Sequence, residues 1–99
     1  QRNDVDGRIN WYMMESEQVH NLVRALTKPY NGAYTYFKNF KIRIYKTKVS
    51  NKKFFGTPGR VVKIKNNNLL VICADYGLCI EDYEFEKSNK QLLNGMHLN

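Results

Sequence analysis

The chain has 99 residues, of which 42% are hydrophobic and 13% aromatic, a composition typical of one compact globular domain rather than two. It carries a net charge of +7, and a charge of this sign favours acidic partners. It shows neither an apolar run long enough to cross a membrane nor a secretory signal pattern, so we expect no membrane partner.

The chain opens on a polar run. It begins with Gln1 rather than a methionine, and the residues up to Arg8 are mostly polar or charged. Such a segment buries little apolar surface and is typical of a linker. We therefore predict that residues 1–11 are a linker from a preceding part of a longer protein and that residues 12–99 form the domain.

An amphipathic helix is predicted from residue 16 onward. Ser16 is a favourable N-cap residue, and the acidic Glu17 suits the first turn of a helix. Apolar residues then recur at helical spacing and define one buried face: Val19, Leu22, Val23 and Leu26. The helix is expected to end before Pro29, because proline disfavours helical geometry at the residue that precedes it.

Beyond residue 32 the apolar pattern changes to alternation, which predicts five strands at 33–38, 41–49, 60–65, 69–74 and 78–85. In the second strand the apolar positions change face towards Val49, which indicates a bulge. The last segment, 88–96, is predicted to form a helical turn or two. One short amphipathic helix followed by five antiparallel strands predicts a mainly β fold, a small OB-like antiparallel barrel in preference to a sandwich.

Charge is unevenly distributed along the sequence. Residues 38–65 contain ten Lys or Arg and no Asp or Glu, whereas residues 75–86 contain five Asp or Glu and no Lys or Arg. We therefore expect one end of the domain to be basic and the other acidic. The carboxylates of the last strand alternate with Tyr83 and Phe85, which is typical of the exposed face of an edge strand.

Residues suited to catalysis are few. His20 lies off the apolar helix face and His97 lies near the end of the chain, so solvated or capping roles are favoured over catalysis or metal binding. Cys73 and Cys79 lack a CxxC spacing, and we expect free thiols in a reducing cytoplasm. No paired carboxylates, nucleophile and base, or phosphate loop are recognisable, so we predict no catalytic residue and no metal site in this chain.

The basic stretch favours nucleic-acid binding, because several cations close together can neutralise several phosphates and a neighbouring aromatic ring can stack on a base. The alternative is that the lysines keep exposed strands soluble and one phenylalanine fills the mouth of the barrel. The candidate nucleic-acid-binding residues are Lys41, Arg43, Lys46, Lys48, Lys52, Lys53, Phe54, Phe55, Arg60, Lys63 and Lys65.

Several motifs together resemble one known domain. They are Asp6-Gly7-Arg8-Ile9-Asn10-Trp11, Asn21-Leu22-Val23-Arg24-Ala25-Leu26, Pro29-Tyr30-Asn31-Gly32-Ala33-Tyr34, Lys41-Ile42-Arg43-Ile44-Tyr45-Lys46-Thr47, Thr57-Pro58-Gly59-Arg60-Val61-Val62, Asp75-Tyr76-Gly77 and Leu93-Asn94-Gly95-Met96. In this order they resemble the C-terminal domain of formyltransferases that use 10-formyltetrahydrofolate. The resemblance covers nearly the whole chain.

This resemblance implies an OB-like barrel and places catalysis and 10-formyltetrahydrofolate in an N-terminal catalytic domain, leaving no cofactor for this chain. Trp11 and Arg24 are then expected at the junction with that domain. Two branches of the family remain open. In methionyl-tRNA formyltransferases the domain helps to hold tRNA through basic residues, and in sugar-nucleotide N-formyltransferases it is an accessory or dimer-forming piece, which would make a homodimer.

Overall fold

A computed structural model describes residues 7–50, 56–64 and 69–99 of the chain. The elements in chain order are α1 (Ser16–Leu26), β1 (Ala33–Phe37), β2 (Phe40–Val49), β3 (Val61–Lys63), β4 (Leu69–Ile72) and β5 (Gly77–Phe85). The predicted succession of one short helix and five antiparallel strands is confirmed, and each strand begins and ends within two residues of its predicted bounds. Over the described ranges, no helix has both the length and the apolar character needed to span a membrane.

Helix α1 is capped by groups that are distant in sequence as well as near. Its N-cap is Glu15 rather than the predicted Ser16, and the Glu15 backbone N–H donates to Gln18 Oε1 at 2.8 Å. The Ser16 N–H donates to Asp75 Oδ1 at 2.7 Å. The first N–H groups of a helix have no partner inside the helix, and a carboxylate is favoured there. Asp75, in the turn between β4 and β5, therefore anchors the start of α1.

The five strands form one antiparallel sheet in the order β1-β2-β5-β4-β3. Irregular register between Ile44 and Thr47, where β2 pairs with β5, confirms the predicted bulge. Strand β5 lies in the middle of the sheet, so the prediction that its carboxylates belong to an edge strand is wrong. Alternation reports which face of a strand meets solvent and carries no information on how many neighbours the strand has.

The C-terminal residues connect the two edges of this open sheet. Asn99 exchanges backbone hydrogen bonds of 2.7 and 3.0 Å with Tyr36 of β1, and the Leu98 N–H donates to the Gly59 carbonyl at 2.8 Å, just before β3. The five strands themselves do not close into a barrel, so where an OB-like barrel was predicted the structure has an open sheet bridged by the tail. Segment 88–96 contains no helical turns. That prediction is wrong because the backbone around Met96 pairs with Val61 instead.

The core is formed by α1, one face of the sheet and the segment that precedes α1. Ile9 and Trp11 are each 1% exposed, and Trp11 Nε1 donates to Thr35 Oγ1 at 2.9 Å. Burying a large apolar side chain to this extent stabilises a fold by about 1.5–3 kcal/mol. Residues 7–11, the described part of the predicted linker, are therefore packed into the domain. Trp11 keeps almost no surface for contact with a second domain.

Candidate nucleic-acid interface

The structure describes six of the predicted nucleic-acid-binding residues, and the other five lie outside the described ranges: Lys52, Lys53, Phe54, Phe55 and Lys65. The six described residues fall into two groups. Lys41, Arg43, Lys46 and Lys48 lie on β2, and Arg60 and Lys63 lie at β3. Strands β5 and β4 separate β2 from β3. The sheet therefore does not present these residues as one continuous row.

The cations of β2 lie beside the carboxylates of β5. In the register of these strands, Arg43 is opposite Glu84 and Lys46 is opposite Asp82. The expectation that the basic and the acidic stretch lie at opposite ends of the domain is therefore wrong, because the two stretches are far apart in the chain but form neighbouring strands. Opposite charges across a strand pair attract each other and lower the potential available to a polyanion.

Arg43 is used by the fold itself. Arg43 is 8% exposed. Its Nε donates to Glu86 Oε2 at 2.6 Å, and its Nη1 donates to the Gly32 carbonyl at 3.3 Å. Its guanidinium lies 5.3 Å from the centroid of the Tyr34 ring. The role of Arg43 in phosphate binding stays a prediction, and its guanidinium is already in contact with Glu86, the Gly32 carbonyl and the ring of Tyr34, which lies opposite it on β1.

Cations and aromatic rings gather instead around the end of the β1–β2 hairpin. Four cations lie over four rings at 4.3 to 5.4 Å from the ring centroid: Lys41 over Tyr34, Arg8 over Tyr36, Lys90 over Phe40 and Lys38 over Phe37. Lys87 joins Tyr36, Phe40 and Lys41 around a cavity of about 360 Å³. We call these cationic and aromatic side chains, with Lys87, the hairpin cluster.

Strand alternation and two backbone contacts assemble the hairpin cluster. Tyr34 and Tyr36 are two residues apart on β1 and therefore share a face, and Lys41 of β2 is directly opposite Tyr36. Arg8 arrives through a parallel bridge with Tyr34. The Glu86 N–H donates to the Lys41 carbonyl at 2.8 Å, and this contact brings the chain after β5 alongside the hairpin.

The hairpin cluster is strongly basic. Of the described residues, Glu86 is the carboxylate that lines its cavity, and the ion pair with Arg43 neutralises that charge. The side chains of Arg8, Lys38, Lys87 and Lys90 are exposed, and Lys41 is half-buried. A cation over a ring is attracted by the negative face of the ring and keeps its charge towards solvent. The arrangement can therefore contact a polyanion with cations whose positions are partly fixed.

Sequence reasoning found Lys41 and missed the other four cations of this cluster. Arg8 falls in the predicted linker, and Lys38 lies in the basic stretch but outside the predicted nucleic-acid-binding residues. Lys87 and Lys90 follow the acidic strand. The alternation of Tyr34, Tyr36 and Lys41 across a short hairpin was the available signal. The docking of Arg8 and Lys90 depends on tertiary contacts that no local pattern records.

Arg24, the second residue predicted at an interdomain junction, is exposed on α1. It lines a cavity of about 520 Å³ between α1 and β2, together with His20, Tyr45, Lys46 and Asp82. His20 Nδ1 lies 2.8 Å from Thr47 Oγ1. The cavity is on the helix side of β2 and shares no lining residue with the cavity of the hairpin cluster.

The two cysteines are free thiols, as predicted. Burial, with a smaller contribution from the Asp75 carboxylate, raises the pKa of Cys73 to about 12, so this thiol stays protonated at neutral pH and is a poor nucleophile. His97 Nε2 lies 2.8 Å from the Pro58 carbonyl. In the described parts of the chain, no three His, Cys, Asp or Glu side chains are grouped so as to hold a metal ion.

Fold and site together define a small antiparallel β domain with a basic aromatic surface at one end of its sheet. The family described as "Formyl transferase, C-terminal domain" matches residues 3–96, and the chain belongs to this family. The resemblance seen in the sequence motifs is therefore confirmed.

The relatives are longer proteins. A methionyl-tRNA formyltransferase of Clostridium botulinum (strain Alaska E43 / Type E3) is 34% identical over 91 residues, which are 88% of this chain and 29% of the relative. That of Ruminiclostridium cellulolyticum is 35% identical over 89 residues, 85% of this chain and 27% of the relative. The bifunctional polymyxin resistance protein ArnA of Wigglesworthia glossinidia brevipalpis is 36% identical over 84 residues, 85% of this chain and 12% of the relative. The chain thus spans less than a third of each.

Proposed function

We propose that this chain is a non-catalytic accessory domain of a methionyl-tRNA formyltransferase-like protein and that its hairpin cluster helps to position a tRNA acceptor. The observation that carries the proposal is the row of cations over aromatic rings at the end of the β1–β2 hairpin. The relatives from Clostridium botulinum and Ruminiclostridium cellulolyticum are methionyl-tRNA formyltransferases, which supports tRNA as the polyanion.

The physical basis is electrostatic. Each phosphate that a cation neutralises releases counterions, and the logarithm of the binding constant then falls with the logarithm of salt by roughly 0.7 to 0.9 per contact. The rings under Arg8, Lys41 and Lys90 restrict the motion of these side chains, which lowers the entropy lost when they bind phosphate. Three to five contacts from the cluster give a total slope of about −2 to −4.

The test is tRNA binding by fluorescence anisotropy over a range of KCl concentrations. We expect the double substitution Lys41→Gln with Lys90→Gln to weaken binding and to reduce the salt slope by up to about two units. The matched control is Lys48→Gln with Lys63→Gln, which removes the same charge from exposed positions outside the cluster. An equal loss in the control pair, or no detectable binding at low salt, contradicts the proposal.

The remaining parts of the proposal concern a full-length protein. Formyl transfer and the binding of 10-formyltetrahydrofolate are assigned to a catalytic domain outside this chain, which is then its permanent partner. The chain covers only a small fraction of the length of its relatives, which supports this assignment. The free thiols Cys73 and Cys79 support a reducing compartment, and we propose the cytoplasm.

A second candidate is a structural or dimer-forming domain of a sugar-nucleotide N-formyltransferase. Tyr12 and Met13, adjacent in the chain, are 55% and 77% exposed, and large apolar side chains side by side favour a protein contact. Sedimentation velocity separates the candidates. A dimer that Met13→Lys dissociates, in a chain that does not bind tRNA, favours the structural role.

A further inference from the structure

We propose that the cavity between α1 and β2 is a nucleotide-binding site that takes one phosphate and its neighbouring ribose. We call this cavity the helix groove; its polar lining is His20, Arg24, Thr27, Tyr45, Lys46, Thr47 and Asp82. Its volume of about 520 Å³ lies in the range of small-ligand sites.

Two cations from different elements line the helix groove. Arg24 projects from the last turn of α1 and Lys46 from β2, and both side chains are exposed. Lys28 adds a third charge nearby, with Nζ 4.7 Å from the centroid of the Tyr45 ring. Arginine presents a fork of N–H donors that matches phosphate oxygens, and lysine adds a point charge. A phosphate in the groove would be within the lining that both Arg24 and Lys46 contribute.

His20 contributes a fixed ring to the same groove. Its Nδ1 lies 2.8 Å from Thr47 Oγ1, so the side of the ring that carries Nε2 is directed away from that contact. In the tautomer with the proton on Nε2, the Thr47 hydroxyl donates to Nδ1 and Nε2 can donate to an acceptor such as a phosphate oxygen. Thr47 itself is buried, which keeps the ring orientation constant.

Asp82 determines what accompanies the phosphate. It is the register partner of Lys46, so a carboxylate acceptor lies one strand away from the cation. Asp82 offsets part of the positive charge at Lys46, so the groove favours a single phosphate over several, and its oxygens can accept from hydroxyl groups, as carboxylates do with ribose. Tyr45 stays a neutral phenol, because burial and the neighbouring Glu84 raise its pKa. Side chains that donate hydrogen bonds to a phosphate, next to a carboxylate that accepts hydrogen bonds from hydroxyls, match the phosphate and the ribose of a ribonucleotide.

The nucleotide can come from two sources, a free mononucleotide or one residue of a bound RNA. The chemistry is the same in both cases, and the proposal does not rest on RNA binding by the hairpin cluster. AMP serves as the free probe, with inorganic phosphate, adenosine and 2′,3′-dideoxy-AMP as partial probes. Two-dimensional ¹H–¹⁵N NMR titrations of the 99-residue chain report where each probe binds.

We expect AMP to shift the amides of residues 20–24, 45–47 and 82, with saturation, and adenosine or inorganic phosphate alone to bind more weakly. Arg24→Ala and Lys46→Ala should each weaken AMP about tenfold, since charge-assisted hydrogen bonds are lost. Asp82→Asn should weaken AMP and leave dideoxy-AMP unchanged. Lys63→Ala, which removes one charge from β3, should change nothing. All four positions are exposed, so each variant should melt at the wild-type temperature.

The proposal is overturned if AMP shifts spread over the hairpin cluster, if Lys63→Ala weakens AMP as much as Arg24→Ala, or if AMP and dideoxy-AMP respond equally to Asp82→Asn. A tRNA titration then identifies the source. If the double variant Arg24→Ala with Lys46→Ala loses AMP and also weakens tRNA, the groove holds an RNA nucleotide. If the double variant loses AMP binding but binds tRNA as the wild type does, the ligand is a free nucleotide. Saturable AMP binding without any tRNA binding contradicts only the proposed function.

Discussion

Substitution of Arg43 tests whether its charge belongs to the fold or to a ligand. The side chain of Arg43 is 10% exposed and that of Glu86 is 36% exposed, with 2.6 Å between Nε and Oε2. Arg43→Met keeps much of the buried stem and removes the guanidinium. The Glu86 carboxylate then loses its cation, and the Gly32 carbonyl loses the Nη1 donor.

The cost follows from these contacts. Glu86 meets water, so losing its partner costs far less than stranding a buried charge, about 1 kcal/mol. The Gly32 carbonyl and the Tyr34 ring each lose one favourable contact, worth about 0.5–1.5 kcal/mol. We therefore expect Arg43→Met to lower the free energy of unfolding by about 2–4 kcal/mol, a large fraction of the roughly 5–15 kcal/mol of a typical domain.

The assay is urea unfolding followed by tryptophan fluorescence. Trp11 is the only tryptophan of the chain and is 1% exposed, so its emission changes when the core opens. Lys48→Met, on the same strand but exposed, should change stability by about 0.5 kcal/mol at most. In a double-mutant cycle with Glu86→Gln the two losses should not add. Wild-type stability of Arg43→Met together with weakened tRNA binding would refute the structural role of Arg43.

Two further predictions concern turns. Gly59 has φ +94 and a Cβ there would collide with the Leu98 carbonyl oxygen, whereas Gly95 has φ +91 and open space around it. In thermal melts, Gly59→Ala should therefore lose clearly more stability than the roughly 1 kcal/mol expected for Gly95→Ala. Equal losses of stability would show that the tail is not docked at Gly59. Burial raises the pKa of Asp75, but the N–H groups of Ser16 and Tyr76 outweigh it and hold that pKa below its ordinary value. The stability that Asp75 contributes is therefore complete above its ordinary pKa and is lost as the pH falls through the lower folded value. Asp75→Asn should be less stable than wild type at neutral pH and equal to it in strong acid, as urea midpoints measured against pH will show; a constant difference at all pH values contradicts the assignment.

The elements of this protein are determined by its sequence to a large extent. Val19 and Val23 recur at helical spacing and are both fully buried on α1. The bulge between Ile44 and Thr47 was also predictable, because a change of face within a strand requires an irregular register. These features depend on neighbours a few residues apart, where backbone geometry decides which side chains share a face.

The placement of the candidate binding residues depends on tertiary structure. Strand β2 pairs with β5, so residues about forty positions apart in the chain become neighbours, and the basic stretch is placed beside the acidic one. Alternation specifies the faces of a strand but not its partners, so Arg43 could be predicted to point outward but not to be covered by Tyr34 and neutralised by Glu86. The hairpin cluster depends on both local and tertiary structure. Tyr36 and Lys41 meet through a local turn. Arg8 and Lys90 reach them only because the segment before α1 and the segment after β5 fold back onto β1 and β2.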